Sequence, residues 1–289
     1  MDKDASPYSS ARPALEDSWL DLIEKARQGL GIDQCSLCTR AGIDNRQWRQ
    51  LKSGRIDEDA IGSVAKALGL GIRGTLMLAR DQYAPPSVSV DGLLQLVMPF
   101  PMLGSPDGTV NAYLIYDKDS SDALVFDGGT EAEPFFAAIE KLKLNVRAVF
   151  ITHTHRDHIG ALPSLHSSFP DAPVYAHHSE LLSDCMKPVE DGETLSIGAF
   201  TVEARHTPGH STGSMCYVVE GLERPVAIVG DALFAGSAGR SGAYWKTAIE
   251  TLKNRILSLP EGTLICPGHG PTSTVEYERR NNPLFPHLS

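Results

Sequence analysis

The feature that most constrains this chain is a cluster of three histidines and one aspartate within six positions, in the segment THTHRDHIG at residues 152–160. The whole chain of 289 residues has only 10 histidines. An apolar run at residues 146–151 predicts a buried strand that ends where the cluster begins. Alternate side chains of a strand point to one side, so His153 and His155 are predicted to share a direction, while the following turn directs Asp157 and His158 to a second point. The cluster predicts parts of two neighbouring sites for zinc or a similar divalent ion.

Residues of the same type follow three other predicted strands. His210 lies in a Pro-Gly-His sequence, Asp231 follows an apolar run, and His269 lies in a second Pro-Gly-His sequence. Gly or Pro beside each of them allows the backbone to turn sharply. His206 competes with His210, and the Pro-Gly-His context favours His210. One histidine after a strand is a weak signal, but four strand ends that supply seven His or Asp side chains predict a metal enzyme.

Composition restricts the class of protein. The hydrophobic fraction of 42% and the charged fraction of 21% are typical of a soluble globular protein. No apolar stretch is long enough for a transmembrane helix, and residues 1–20 lack the apolar segment of a signal peptide. Five scattered cysteines indicate a reducing compartment, so we expect a cytoplasmic location without membrane association.

The charge is unevenly distributed along the chain. Residues 1–80 have 12 Lys and Arg against 11 Asp and Glu, whereas residues 81–289 have 14 against 25. This asymmetry predicts two units with different surfaces. The acidic second unit is a poor candidate for nucleic-acid binding, because phosphate contacts need Lys and Arg.

The sequence pattern divides the chain into three parts. Residues 1–16 are polar and rich in Ser, Pro and Ala, and are predicted to be a flexible arm. Residues 17–84 have apolar positions at helical spacing in five segments, with Asp at starts and Gly at stops. A Pro-Pro pair at residues 85–86 marks a boundary. Residues 88–289 alternate between strand and helix patterns, which predicts a layered α/β fold.

Over residues 90–285 the chain resembles the metallo-β-lactamase-fold hydrolase superfamily. The matching residues are His153-x-His155-x-Asp157-His158, then His210, Asp231 and His269, together with the early turn Asp127-Gly128-Gly129. The resemblance implies an αββα sandwich with two divalent metal ions at one edge, zinc first, with iron and manganese as alternatives. It implies that His153, His155 and His210 bind the first ion, that Asp157, His158 and His269 bind the second, and that Asp231 bridges both. Asp127 would hold the metal loop by hydrogen bonds without touching metal.

The reaction that the resemblance implies is hydrolysis. Two ions about 3.5–4 Å apart lower the pKa of a shared water, and the resulting hydroxide attacks an electrophilic carbonyl or phosphorus. Asp157 and Asp231 are the candidate catalytic residues, because Asp231 would bridge the ions and Asp157 could accept a hydrogen bond from the nucleophile.

Within the superfamily the chain is most similar to short bacterial type II glyoxalases, on residues 230–240, 267–274 and 278–283. Asp231 stands where true β-lactamases usually have Cys or Ser, and Phe234 stands where quorum-signal lactonases have Tyr. The favoured substrate is a thioester or a related activated ester. The candidate contacts to an acidic thiol carrier are Arg240, Arg279 and Arg280. A persulfide dioxygenase with one iron is the first alternative, and a lactonase is another.

The run from Gly31 to Ile43 is followed by Trp48, Leu51 and Gly54 and by an ending from Ala65 to Leu70. On these residues, the segment 18–80 resembles the helix-turn-helix domains of the phage-repressor type. The residues that such a recognition helix would present to DNA are Arg46, Gln47, Arg49 and Lys52. The net charge of +1 and the apolar Trp48 and Leu51 instead favour a small helical domain for packing or dimerisation. A DNA-binding regulator with a metal-binding sensor domain is the alternative to an enzyme, and a homodimer is a further hypothesis.

Overall fold

A computed structural model describes residues 13–101 and 107–288 of the chain. Of the predicted flexible arm at residues 1–16, residues 1–12 lie outside the described residues. In the remaining part, Leu15 packs against a large apolar cluster, and Glu16 Oε2 lies 3.9 Å from Nδ1 of His269. The folded protein therefore begins before the first helix.

Five helices occupy the segment predicted to be helical. They are α1 (Trp19–Gly29), α2 (Gln34–Ala41), α3 (Asn45–Lys52), α4 (Glu58–Ala67) and α5 (Ile72–Ala79). The first four begin after an N-cap residue whose side chain accepts a hydrogen bond from a backbone N–H of the first turn: Ser18, Asp33, Asp44 and Asp57. Gly42 ends α2 in the left-handed conformation, with φ of 66°. We call residues 17–84 the N-terminal helical unit.

Two six-stranded sheets follow. The first sheet has the order β1 (Leu93–Pro99), β2 (Thr109–Tyr116), β3 (Asp122–Phe126), β4 (Asn145–Phe150), β5 (Val174–Ala176) and β6 (Met186–Pro188). The second sheet has the order β14 (Ser273–Thr274), β13 (Leu264–Pro267), β10 (Val226–Gly230), β9 (Met215–Glu220), β8 (Phe200–His206) and β7 (Thr194–Ile197). A small hairpin of β11 (Leu233–Phe234) and β12 (Ser237–Ala238) follows β10. The helices of this part are α6 (Glu133–Leu142), α7 (Arg156–Ile159), α8 (Leu162–Ser168), α9 (Trp245–Thr251), which continues as a π-helix at Leu252–Ile256, and α10 (Val275–Asn281).

The two sheets form the middle layers of a sandwich. Phe126, Phe150 and Tyr217 meet between the sheets with ring centroids 5.1–6.0 Å apart. The other face of the first sheet is covered by α6 and α8 through Phe135 and Leu165. The sandwich fold that the resemblance implied is confirmed.

The N-terminal helical unit shares one apolar cluster with the outer face of the second sheet and with α9 and α10. Along β9, Tyr217 faces the other sheet, while Cys216 and Val218 belong to the same apolar cluster as Leu22 and Trp48 of the helices. An outer face of this kind must be covered, because exposed apolar area is costly in water. The small helical domain predicted from the sequence therefore shares its core with the sandwich.

No helix within the described ranges 13–101 and 107–288 is long and apolar enough to cross a membrane.

Candidate metal centre

The predicted ligand residues come together at one edge of the two sheets. His153, His155, Asp157 and His158 follow β4, and His210 lies in the loop between β8 and β9. Asp231 and His269 follow β10 and β13, which are parallel, so that both strands end at the same edge. The ligand atoms of His153, His155, His210 and Asp231 lie within 4.8 Å of one another, as do those of Asp157, His158 and His269. We call these four and these three residues the first and second group.

Three imidazole nitrogens converge in the first group. Nδ1 of His155 lies 3.0 Å from Nε2 of His153 and 2.9 Å from Nε2 of His210. Nitrogen ligands of one tetrahedral zinc ion lie about 3.3 Å apart. The three nitrogens are therefore close to the spacing that a single ion requires.

The second group contains one carboxylate between two imidazoles. Oδ2 of Asp157 lies 3.2 Å from Nε2 of His269 and 3.7 Å from Nε2 of His158. All three side chains are buried or nearly so. A carboxylate oxygen and two imidazole nitrogens suit zinc, iron or manganese.

Asp231 lies between the two groups. Its Oδ1 is 3.3 Å from Nε2 of His158, and its Oδ2 is 3.4 Å from Nε2 of both His210 and His269. One carboxylate thus faces histidines of both groups.

Hydrogen bonds at the far side of the rings fix which nitrogen faces the centre. A backbone carbonyl can only accept, so Nδ1 of His210 donates to the carbonyl of Arg240 at 3.1 Å, and Nδ1 of His269 donates to the carbonyl of Thr109 at 2.6 Å. In its neutral form each ring then has its lone pair on Nε2. This is how a second layer of protein groups orients histidine ligands for a metal.

Asp127 orients the other two Nε2 histidines. Its Oδ2 accepts from Nδ1 of His158 and from Oγ1 of Thr152, both at 2.8 Å, and its Oδ1 accepts from the backbone N–H of Thr152 at 2.7 Å. Because the Thr152 hydroxyl donates to Asp127, it is free to accept from Nδ1 of His153, 3.1 Å away. Asp127 lies behind the ligand residues, as the resemblance implied.

The electrostatics of the two groups are dominated by Asp231. Burial disfavours the charged form of His158 and His269, but Asp231, together with Asp127 beside His158 and Asp157 beside His269, outweighs it, and the pKa values rise to about 10 and about 11. Burial would raise the pKa of Asp231, but the two histidines hold it well below its usual range. Burial lowers the pKa of His153 and His210. The second group thus attracts protons in the metal-free protein, which indicates a strongly cation-binding environment.

The donor set fits divalent metal ions. Nε2 of His158 and Oδ1 of Asp231 are buried and have no hydrogen-bond partner of acceptable geometry among residues 13–101 and 107–288. In the first group, Nε2 of His153 and Nε2 of His210 both face Nδ1 of His155. Nδ1 of His155 can carry only one proton, so the three nitrogens cannot all be satisfied by hydrogen bonds to one another. Buried polar atoms left in this state are costly unless a cation binds them.

A cavity of about 350 Å³ opens over the two groups. The ligand residues His155, Asp157, His210, Asp231 and His269 line it, together with Phe100, Phe234, Gly239 and Arg240. The remaining lining residues are Glu16, Asp17 and Lys25, which precede or belong to α1. Burial raises the pKa of Glu16 to about 7. Helix α1 and the residues before it therefore form one wall of the cavity.

Other residues predicted for the site lie elsewhere. Among the three candidate substrate arginines, only Arg240 lines the cavity. Arg279 lies 3.9 Å from Glu261, and Arg280 forms an ion pair of 2.9 Å with Glu276. His206 bonds to the carbonyl of Thr212 and stacks on His177, so His210 is the histidine that joins the first group.

The candidate DNA contacts lie on α3. Arg46, Arg49 and Lys52 are exposed, whereas the Gln47 side chain accepts a hydrogen bond from the Asp44 backbone N–H as part of the helix cap. Trp48 and Leu51 are buried, as the sequence indicated. A contact of this helix with DNA stays a prediction.

Sequence reasoning missed several residues that shape the centre. Thr152 links Asp127 to His153, and Glu180 accepts hydrogen bonds from Thr154 and Ser211, which are neighbours of ligand residues on two different loops. The position of Thr152, directly before the histidine cluster, was a usable signal. Glu180 and the wall residues near α1 gave none, because their contacts join distant parts of the chain.

Comparison with known proteins finds a matching family and several similar proteins. Residues 105–269 match the Metallo-beta-lactamase superfamily. The chain is 36% identical to the probable metallo-hydrolase YqgX of Bacillus subtilis (strain 168) and 33% identical to the hydroxyacylglutathione hydrolase GloC of Haemophilus influenzae, in each case over 61% of this chain and 92% of the relative. It is also similar to the crystal structure of BLEG-1 B3 metallo-beta-lactamase, with a TM-score of 0.56, 32% identity, and coverage of 67% of this chain and 99% of that chain. Helices α1–α5 lie outside the residues that match the superfamily.

Proposed function

The chain belongs to the metallo-beta-lactamase superfamily, and on this basis we propose that it is a dinuclear metal hydrolase whose substrate is a thioester or a related activated ester. The observation that carries the proposal is the position of Asp231. Its two oxygens lie 3.3–3.4 Å from histidines of both groups. A carboxylate placed in this way can hold two ions close together, which is the arrangement of two-metal hydrolytic sites.

We assign the ligand roles by group. His153, His155 and His210 would hold one ion, Asp157, His158 and His269 the other, and Asp231 both. Two divalent ions bound there would lower the pKa of a shared water and polarise the oxygen of the substrate. Burial would raise the pKa of Asp157, but the hydrogen bond from His269 and the charge of His158 hold it below its usual range, so its carboxylate is ionised and can accept a hydrogen bond at the cavity wall.

Two features support a thioester. GloC, a relative at 33% identity, is a hydroxyacylglutathione hydrolase, and such a substrate is a thioester of an acidic thiol. Arg240 lines the cavity and its guanidinium donates to Gln28 at 2.8 Å, so the cation is held at the rim, where an acidic carrier would bind. Arg279 and Arg280 lie outside this cavity and are not part of the proposal.

The likeness to BLEG-1 favours a second candidate, hydrolysis of a β-lactam. The aspartate at position 231 favours the thioesterase, because the true β-lactamases of the superfamily usually have Cys or Ser there.

The test combines metal analysis with a panel of substrates. We expect the purified protein to contain two equivalents of divalent metal and to hydrolyse glutathione or acyl-carrier thioesters faster than lactones, phosphodiesters or β-lactams. Oxygen uptake with one bound iron and no thioester hydrolysis would instead identify a persulfide dioxygenase.

A single substitution tests the site itself. We expect His153→Ala to lose at least one metal equivalent and to abolish hydrolysis, because His153 presents Nε2 to the centre of the first group. His287→Ala changes an exposed histidine near the C-terminus and is the control. Full activity of His153→Ala would contradict the assignment.

A further inference from the structure

The segment after Asp231 connects the candidate metal centre to the N-terminal helical unit. We call residues 233–240 the hairpin segment, which contains β11 and β12. The segment passes close to two of the candidate metal ligands, Asp231 and His210. A side-chain carbon added to Gly239 would come within 1.9 Å of the Asp231 carbonyl oxygen and 3.0 Å of Nδ1 of His210. Its position therefore decides how these two residues are placed.

Helix α1 holds the hairpin segment through a buried ion pair. Nζ of Lys25 lies 2.5 Å from Oδ2 of Asp17, and the two side chains are only 9% and 7% exposed. Lys25 Nζ also donates to the carbonyl of Ala238 at 2.9 Å, and the hydroxyl of Ser237 donates to Asp17 at 2.6 Å. A buried ion pair is favourable only when further hydrogen bonds satisfy it. Here those bonds join the pair to β12.

A second connection runs from α1 directly to a ligand residue. The Arg240 side chain donates to Oε1 of Gln28 at 2.8 Å. The backbone carbonyl of the same Arg240 accepts from Nδ1 of His210 at 3.1 Å. The residue that fixes the ring of His210 is thus itself fixed by α1.

The end of the N-terminal helical unit holds the hairpin segment from its other side. The Tyr83 hydroxyl donates to Oε2 of Glu278 at 2.9 Å, and the same oxygen accepts from the backbone N–H of Gly236 at 3.1 Å. Tyr83 and Glu278 are both buried. The hairpin segment is therefore bound at its turn and along β12 by residues outside the superfamily match.

We propose that the N-terminal helical unit positions the metal ligands His210 and Asp231 by clamping the hairpin segment, with Lys25 and Gln28 as positioning residues. This inference rests on the proposed function, because it assumes that both residues bind metal. It assigns a role at the active site to a unit that otherwise resembles a DNA-binding module. Groups behind metal ligands typically change metal affinity by about 10–100-fold when they are removed.

Two changes test the clamp. Gln28→Ala removes the acceptor for Arg240 at an exposed position, and Gln28→Glu keeps an acceptor there. The double change Asp17→Asn with Lys25→Met removes the buried pair without leaving one charge unpaired. The matched controls in the same unit are Gln50→Ala on α3 and the double change Glu58→Gln with Arg80→Met, which removes an exposed ion pair of 2.5 Å.

Two readouts are needed besides activity. The first is Zn²⁺ affinity, measured by competition with a chromophoric chelator, and the second is amide hydrogen exchange of residues 233–240 in the metal-free protein. We expect Gln28→Ala and the buried-pair variant to lower the affinity for one of the two zinc ions by about 10-fold or more. Both variants should also exchange the amide hydrogens of the hairpin segment faster. Gln28→Glu should restore the affinity, and both controls should match the unchanged protein.

The outcomes separate the two proposals. If the unchanged protein binds two zinc ions and both variants keep its affinity and exchange, the clamp is refuted and the hydrolase proposal stands. If the control variants lose as much zinc affinity as the test variants, the loss reflects general stability and the clamp is again refuted. If the unchanged protein binds no zinc, both proposals fall.

Discussion

At the scale of single residues, the centre depends on which atom each side chain presents. His153, His158, His210 and His269 all have Nδ1 hydrogen-bonded to a neighbour, so Nε2 faces the centre. The sequence predicted the residue types, but it could not predict these tautomers. The partners are the hydroxyl of the adjacent Thr152 and, from distant parts of the chain, the carboxylate of Asp127 and two backbone carbonyls.

Asp127→Asn tests this orientation. Asn tolerates the φ of 57° at this position, but an amide nitrogen cannot accept from His158 or Thr152. We expect metal affinity to fall by about 10–100-fold, measured by chelator competition. Asp81→Asn, at φ of 55° and away from the site, is the control. Unchanged affinity in Asp127→Asn would show that Asp127 does not orient the ligands.

At the scale of elements, the turns after the strands decide whether the ligands can meet. The sequence predicted these turns from Gly and Pro, and the structure shows why Gly is needed. A side-chain carbon on Gly268, directly after β13, would lie 2.2 Å from Oδ1 of Asp231 and 2.6 Å from Cε1 of His158. The glycine leaves the space between the two groups open.

Gly268→Ala is therefore expected to displace Asp231 and His158. Metal content should fall below two equivalents, as measured by elemental analysis of the purified variant, while the fold is retained by circular dichroism. Gly262→Ala has open space around the added carbon and no positive φ, so it should keep both equivalents. Two retained equivalents in Gly268→Ala would be incompatible with the close spacing of the groups.

Helix α10 contributes a buried carboxylate to the packing of elements. Glu278 accepts from Tyr83, Gly236, Ser273 and Asn282, and burial raises its pKa. A carboxyl with a raised pKa binds its proton more tightly in the folded state. Its contribution to the free energy of unfolding is therefore present at low pH and is lost as pH rises through the folded pKa.

Glu278→Gln should show this dependence. An amide nitrogen would face donors, so we expect a loss of about 1–3 kcal/mol in unfolding free energy. The difference between the unchanged protein and the variant should shrink as pH rises above the usual carboxyl range, as measured by urea unfolding at a series of pH values. A difference that grows with pH would mean that the pKa of Glu278 is lowered instead.

At the scale of the whole molecule, one apolar cluster joins the N-terminal helical unit to the sandwich. The sequence indicated two units from charge and pattern, and residues 17–84 contain five helices, as many as the helical segments that the pattern indicated. It did not indicate that Leu22 and Trp48 share a core with Cys216 and Val218, because no local pattern reports which surfaces meet. Homodimerisation and a cytoplasmic location stay predictions.

Metal removal should lower the stability of the whole molecule. An ion that binds only the folded state stabilises it by mass action, and its loss leaves Asp231 and His158 buried without their partner. We expect chelation to lower Tm and added Zn²⁺ to restore it, as followed by thermal unfolding. A Tm that does not respond to chelator or zinc would argue against the metal centre.

The sequence by itself determined a layered α/β fold, the strand ends and the seven His and Asp residues that follow them, because strand periodicity, turn residues and ligand chemistry are local properties. The αββα sandwich followed from the resemblance to the superfamily. The sequence did not predict short strands such as β6 and β14, because two or three residues are too few to show an alternating pattern. Only the tertiary structure decided that Asp231 lies between the two groups, that Arg240 and not Arg279 or Arg280 lines the cavity, and that α1 holds the segment behind His210. These are contacts between residues far apart in the chain, and packing alone brings them together.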